Sequence, residues 1–175
     1  LTRAGFKGPI HATAATVDLL GVMLPDSAHI QESEARRSAK RFRGKRPMEP
    51  IYALQDAREC LTQANSVAYD QEFSPHATVR CRFRDAGHIL GSAIIEVWVT
   101  EHGRATKLVF SGDLGQPGRP ILRDPTLIEE TDILVVESTY GDRRHLDLAA
   151  TEDEMIAIVE KTLYERGGNV IMPAF

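Results

Sequence analysis

Two helical stretches and a run of alternation set out the first half of the chain. Between Ile10 and Leu24, Val17, Leu20 and Leu24 recur at helical spacing behind Thr13, a hydroxyl placed to cap a first turn, and predict an amphipathic helix. Pro25 and Asp26 interrupt the pattern, and Asp26 or Ser27 then reads as the cap of a second helix running towards Phe42. After a linker closed by Pro47 and Pro50, Gln55 to Ala64 predicts a short third helix, capped near Leu54 or Gln55. None of the three carries an evident reactive group, so they are expected to be packing layers.

From Ser66 the period falls to two. Val79, Cys81 and Phe83 alternate with Arg80, Arg82 and Arg84, which predicts a strand with one buried and one wet face. Two apolar runs follow, Ala93 to Thr100 and Ala105 to Phe110. The short polar stretch Glu101-His102-Gly103-Arg104 between them suits a hairpin turn. A connection containing proline and glycine, Gln116 to Thr131, leads to the continuous apolar run Asp132 to Val136, typical of a strand covered on both sides. Thr151 to Arg166 is the clearest helical pattern, with Thr151 and Glu154 as a capping box and Met155, Ile158, Val159 and Leu163 on the face expected to be buried. Gly167 and Gly168 stop it, and Val170 to Met172 begins what reads as another buried strand. There is no internal repeat.

Composition narrows the class of protein. Its apolar fraction is ordinary for a globular domain, no apolar run approaches membrane-spanning length, and no secretory signal is visible, so a soluble cytoplasmic protein without a membrane partner is expected. Cys60 and Cys81, the only cysteines, have no metal-like spacing and suggest neither a disulfide framework nor a thiolate site. The net charge of −4 does not favour nucleic-acid binding by the molecule as a whole. A local basic run, Arg36, Arg37, Lys40, Arg41, Arg43, Lys45 and Arg46, reads first as a solvated helix end and linker, and second as a phosphate contact. Leu1 stands where an initiator methionine would, and the final stretch reads as a core strand with nothing after it. A fragment of a longer protein is expected.

The chemistry gathers between Asp85 and Gly115. With the turn centred between His102 and Gly103, antiparallel pairing sets Asp113 roughly opposite Ser92, with His88 only a few residues further out, so both leave the same open end of one hairpin. Gly87, Gly91, Gly112 and Gly115 at that end permit tight turns and close approach of backbone to a bound group. An imidazole and a carboxylate brought together there suit a divalent metal such as zinc, although zinc takes at least three protein ligands. His88 taken alone reads as a hydrogen-bonded loop histidine, and Asp113 as a turn cap; their pairing shifts both towards ligation. Glu137-Ser138-Thr139-Tyr140-Gly141-Asp142-Arg143, at the end of the expected buried strand, is a further site candidate, although Glu137 also suits a purely structural hydrogen-bonding role. Tyr140 and Asp142 read as loop packing and capping groups, His102 as solvent-facing, and Trp98 as core. His145, close to Glu137, is the next histidine to consider.

Taken together, DAGHILGSA, FSGDLG and ESTYGDRRH, in this order and spacing, resemble the β-CASP branch of the metallo-β-lactamase superfamily, which contains ribonuclease J and the nuclease subunit of the cleavage and polyadenylation specificity factor. The flanks GFKGPIHAT, DSAHIQE and NVIMPAF are similar to its RNA-acting members. The resemblance implies an α/β chain, part of the layered αββα metallo-β-lactamase fold with mixed, largely antiparallel sheets flanked by helices. Residues 1–175 would form a partial domain ending near the start of the β-CASP insertion. It implies that His88 is a metal ligand, that Asp113 bridges two metals and takes part in catalysis, and that Glu137 opens the β-CASP signature and supports a catalytic histidine beyond Phe175. Two zinc ions, or manganese, are implied for the intact protein, with RNA as partner and a homo-oligomer left open.

The family's His-x-His-x-Asp-His segment is absent, and Leu1 to Pro9 looks like the sequence that follows it. The expected function is therefore that of a metal-dependent ribonuclease, exonuclease or endonuclease, in the full-length protein, with this piece inactive alone. The alternatives are a non-catalytic scaffold subunit of an RNA-processing complex and a small-molecule (thio)ester hydrolase of the same superfamily.

Overall fold

The computed structural model describes residues 1–41, 49–144 and 147–173 and divides the chain into two compact units, residues 1–137 and 138–175. In the first, β1 (Ile10–Ala12) pairs in parallel with β2 (Ala64–Ser66), so the three residues expected to open a helix are a strand instead. Between them lie α1 (Ala14–Arg41) and α2 (Leu54–Leu61). Thr13 stands just before α1, and its Oγ1 accepts from the Thr16 N–H at 3.4 Å, the capping role expected of it.

The break expected at Pro25 does not occur: α1 runs through it as one helix. A proline inside a helix removes one backbone hydrogen bond and crowds the preceding turn, at a cost of about 3 kcal/mol. Tertiary contacts beyond the proline offset that loss. Ala28 is fully buried, Gln31 Oε1 accepts from the Ile51 N–H at 3.0 Å, and Glu32 Oε1 accepts from the Leu54 N–H at 3.0 Å, tying the second half of α1 to the start of α2. Asp26 and Ser27 are simply helical positions. Helix α2 is shorter than expected because the chain beyond it is drawn into β2. Arg36, Arg37 and Lys40 lie exposed on α1, with Arg36 paired to Glu32 one turn away; Arg43, Lys45 and Arg46 fall outside the described residues.

The second sheet has the order β3 (Glu72–His76), β4 (Val79–Asp85), β5 (Ala93–Glu101), β6 (Arg104–Phe110) and β7 (Ile133–Val135), antiparallel except for the last pair. The molecule is thus α/β, with a mixed, largely antiparallel sheet flanked by helices, consistent with a metallo-β-lactamase-like fold. The turn between β5 and β6 is the two-residue His102-Gly103, both with positive φ (49° and 78°), whose twist matches that of the strands it joins. Pairing sets Phe83, Ile95 and Phe110 in one row and Cys81, Val97 and Leu108 in the next, which makes one face apolar.

The opposite face carries the charges, and its central carboxylate is not wet. Glu96, paired with Arg82 across the ladder, keeps only 2% of its side chain exposed and accepts ion-pair contacts from Arg82 Nε and Lys107 Nζ, each at 2.7 Å. Leu127 to Glu130 border this triad, and Ile128 packs on the small core of Ala86, Ile94 and Val109. Alternation recorded which side chains share a face; it could not record that a distant loop borders the charged one.

Strand β7 also departs from expectation. It pairs with β6, fastened by the Lys107 N–H to Asp132 Oδ2 at 2.7 Å, but Ile133 to Val136 each remain about half exposed rather than covered on both sides. In the second unit, α3 (Leu148–Glu160) begins one turn before Thr151, whose Oγ1 donates to the Asp147 carbonyl at 2.9 Å, so the expected capping box does not form. A wider turn, Lys161–Glu165, follows, and Gly167 at φ 59° ends it. Met155, Ile158 and Leu163 are about half exposed, and Val170 to Met172 form no strand. These apolar faces lack the cover that their patterning anticipates. Among the described residues, no helix is long and apolar enough to cross a membrane.

Candidate metal centre

The loop from Ala86 to Ser92 connects β4 to β5 and carries His88. Gly87 and Gly91 hold φ values of +63° and +90°, where a side chain would be strained. A Cβ on Gly91 would lie 2.7 Å from Thr16 Oγ1, so the loop closes against α1 only because that atom is missing. Polar contacts fix the loop at both ends. Asp85 Oδ1 accepts from the Gly87 N–H at 2.9 Å, and Ser92 Oγ accepts from the N–H groups of His88 and Ile89 at 3.2 and 3.3 Å. A second loop, Ser111 to Gly115, leaves β6 alongside it, joined by the Gly115 N–H to the Ala86 carbonyl at 2.8 Å.

This second loop carries Asp113. Ser111 is buried, its N–H donating to the Val135 carbonyl at 2.9 Å and its Oγ accepting from the Glu137 N–H at 3.1 Å. Glu137 reaches back from the far end, where Oε1 accepts from the Leu114 N–H at 2.6 Å. The structure therefore brings Glu137 against the Asp113 loop and gives its carboxylate a positioning contact there. Arg143 Cζ instead lies over the Tyr140 ring, 4.8 Å from the ring centroid, and His145 lies outside the described residues.

His88 Nε2 and Asp113 Oδ2 come to 3.9 Å of each other, with the side chains 43% and 76% exposed. At metal–ligand bonds of about 2.1 Å, two donors on one zinc ion are separated by roughly 3.4 Å at a tetrahedral angle and at most about 4.2 Å. The pair is within that reach and open to solvent, so both atoms suit one ion by chemistry and by spacing. Their number does not suffice, since among the described residues no three histidine, cysteine, aspartate or glutamate side chains could hold a metal together. The two side chains are candidates for part of a donor set.

Sequence reasoning did not identify the groups that hold these loops. Tyr69 and Thr16 carry no motif, Ser92 lies within the DAGHILGSA motif without a role assigned to it, and Thr13 was legible only as a cap. Two of the other histidines have local partners: His11 Nδ1 lies 3.1 Å from Asn65 Nδ2 with its ring against Phe73, and His76 Nδ1 lies 3.0 Å from the Thr78 hydroxyl.

Curated proteins share this sequence along its length. It is 34% identical over 175 residues to ribonuclease TTHA0252 of Thermus thermophilus, an alignment covering the whole chain and 36% of that protein. It is 28% identical over 172 residues to transcription termination factor FttA of Pyrococcus abyssi, covering 97% of the chain and 24% of the relative. An RNase J-like protein of Methanocaldococcus jannaschii is 28% identical over 169 residues, covering 95% of the chain and 35% of the relative. The chain thus spans about a quarter to a third of the length of these relatives. No family model matches it. Together with the motifs and the sheet, this similarity to parts of larger proteins supports reading the chain as a relative of the β-CASP RNA-processing nucleases.

Proposed function

We propose that the protein to which this chain belongs is a metal-dependent hydrolase of RNA phosphodiester bonds, in which His88 and Asp113 supply two of the metal ligands and Glu137 holds the Asp113 loop. The observation that carries this reading is the convergence of His88 and Asp113, 25 residues apart in sequence, to 3.9 Å at the open end of the β5–β6 hairpin. Relatives named as ribonucleases support RNA as the substrate class. Zinc, with manganese as the alternative, suits an imidazole and carboxylate donor pair. When bound, such an ion makes hydroxide available near neutral pH and neutralises charge on phosphate oxygens.

The chain's own residues prepare that place. His88 would present Nε2 and Asp113 Oδ2, both on exposed side chains 3.9 Å apart. The loop hydrogen bonds set by Ser92, Ser111 and Glu137 fix both backbones before any ion arrives, so less ordering remains for binding to accomplish. With two candidate donors among the described residues against a minimum of three, this chain by itself should not cleave RNA. Metal analysis and RNA cleavage by the full-length protein and its Asp113→Ala variant test the proposal. Cleavage and metal content should both fall by orders of magnitude in the variant. Undiminished cleavage would remove the mechanism, and a metal-free, RNA-binding wild type would favour the scaffold alternative.

A further inference from the structure

Three hydroxyls converge on two consecutive carbonyls of the loop that carries His88. The Tyr69 hydroxyl donates to the Ser92 carbonyl at 2.8 Å. From the start of α1, Thr16 Oγ1 lies 3.0 Å from the Gly91 carbonyl, and Thr13 Oγ1 lies 2.8 Å from that carbonyl and 2.9 Å from Thr16 Oγ1. Each hydroxyl has one proton to give. With Thr16 donating to Gly91, Thr13 can donate to the same carbonyl or to Thr16, and either choice closes the network. Thr13 is buried, and Tyr69 and Thr16 are partly buried, so solvent competes weakly for these carbonyls.

The same two residues connect onward to the histidine. Ser92, whose carbonyl Tyr69 holds, accepts the His88 and Ile89 N–H groups through its own Oγ. Gly91, whose carbonyl the threonines hold, sits at φ +90° directly against Thr16. Thus α1, the segment after β2 and the β4–β5 loop are joined at a point three residues from the imidazole. A loop rich in glycine would otherwise sample many conformations, and ordering it on metal binding would weaken affinity. Burial, first, and then the nearby Asp85 carboxylate push the Tyr69 hydroxyl above its ordinary range, against the lowering effect of Thr13 and Arg123, which keeps it a donor at neutral pH.

We propose that Thr13, Thr16 and Tyr69 form a hydroxyl clamp that positions the His88 loop for metal binding. None of the three touches the ion; they are positioning residues, and the proposal rests on the metal-site reading above. Zinc is the probe, titrated into the full-length protein, with the Co(II) absorption bands as a second readout of ligand geometry. Tyr69→Phe and the paired Thr13→Val, Thr16→Val variant should each weaken zinc affinity about tenfold to a hundredfold, as loss of outer supports of a metal ligand does. Both should perturb the Co(II) bands, whereas Thr13→Ser, which keeps the hydroxyl, should restore wild-type values.

Tyr69→Phe removes a single oxygen and carries the test even if the paired valine variant does not fold. Wild-type zinc affinity in Tyr69→Phe and in any folded valine variant, alongside its loss in His88→Ala, would overturn the clamp and leave the metal site standing. An equal loss in Thr13→Ser would also overturn it, because bulk rather than the hydroxyl would then matter. Failure of the wild type to bind zinc would remove the metal-site reading and the clamp with it.

Discussion

Replacing Glu96 with glutamine tests how the charged face of the sheet is held. The carboxylate is 2% exposed and answers two cations, Arg82 Nε and Lys107 Nζ, both at 2.7 Å; their own side chains are 26% and 20% exposed. Glutamine keeps the shape but removes the negative charge, and its single carbonyl oxygen leaves one cation poorly matched. Breaking a buried ion pair on one side costs about 3–5 kcal/mol, and the partial exposure of both cations places this case near the lower end, about 3 kcal/mol. For a chain of this size that corresponds to a fall of about 6–12 °C in Tm. Trp98 is the sole tryptophan, and its ring centroid lies 4.3, 5.2 and 5.4 Å from the charge centres of Arg80, Arg82 and Lys107, so urea unfolding followed by its fluorescence reports this face directly. A Glu96→Gln variant within about 0.5 kcal/mol of wild type, the range of ordinary surface substitutions, would refute the reasoning.

The same residue fixes a pH dependence. Burial pushes the Glu96 carboxyl up, but hydrogen bonds and charges from Arg82 and Lys107 outweigh it and hold the group below its ordinary value. A depressed folded-state pKa contributes stability that is present above the unfolded value and lost as pH falls through the folded one. Wild type should therefore lose stability relative to Glu96→Gln on acidification below the ordinary carboxylate range, and the difference should stay constant near neutrality. Parallel acid limbs for the two proteins would contradict this.

Other outcomes follow from the same geometry. Pro25→Ala restores a helical N–H within α1 and should raise stability by about 1–3 kcal/mol, seen as a higher midpoint by circular dichroism; a lower midpoint would mean the proline is favoured where it stands. Gly91→Ala meets both a positive φ and Thr16 Oγ1 at 2.7 Å, so it should cost more than about 1 kcal/mol, with hydrogen exchange at the His88 and Ile89 amides accelerating beyond the global change. His88→Ala in the full-length protein should lower bound metal while leaving the unfolding midpoint of the metal-free form close to wild type, since the imidazole is 43% exposed; equal metal content would exclude it as a ligand.

Local order fixed much of what the sequence disclosed. The alternation of Val79, Cys81 and Phe83 with arginines, and the two-residue turn at His102-Gly103, set strand faces and register by themselves, because the side-chain period of a strand and the twist of a tight turn leave few choices. Register in turn carried Asp113 to the same end as His88. What the pattern could not fix depended on partners distant in the chain. Helix α1 crosses Pro25 because residues around Ile51 and Leu54 grip its second half, and Ile10 to Ala12 become a strand because Ala64 to Ser66 lie beside them. Glu96 becomes buried because two strands each bring it a cation and the loop at Leu127 to Glu130 lies alongside. Likewise, the hydroxyls that hold the His88 loop come from positions 13, 16 and 69, of which the pattern marked only Thr13, and that as a helix cap. Periodicity is a property of neighbours along the chain, whereas cover and support are supplied by groups that only folding makes neighbours.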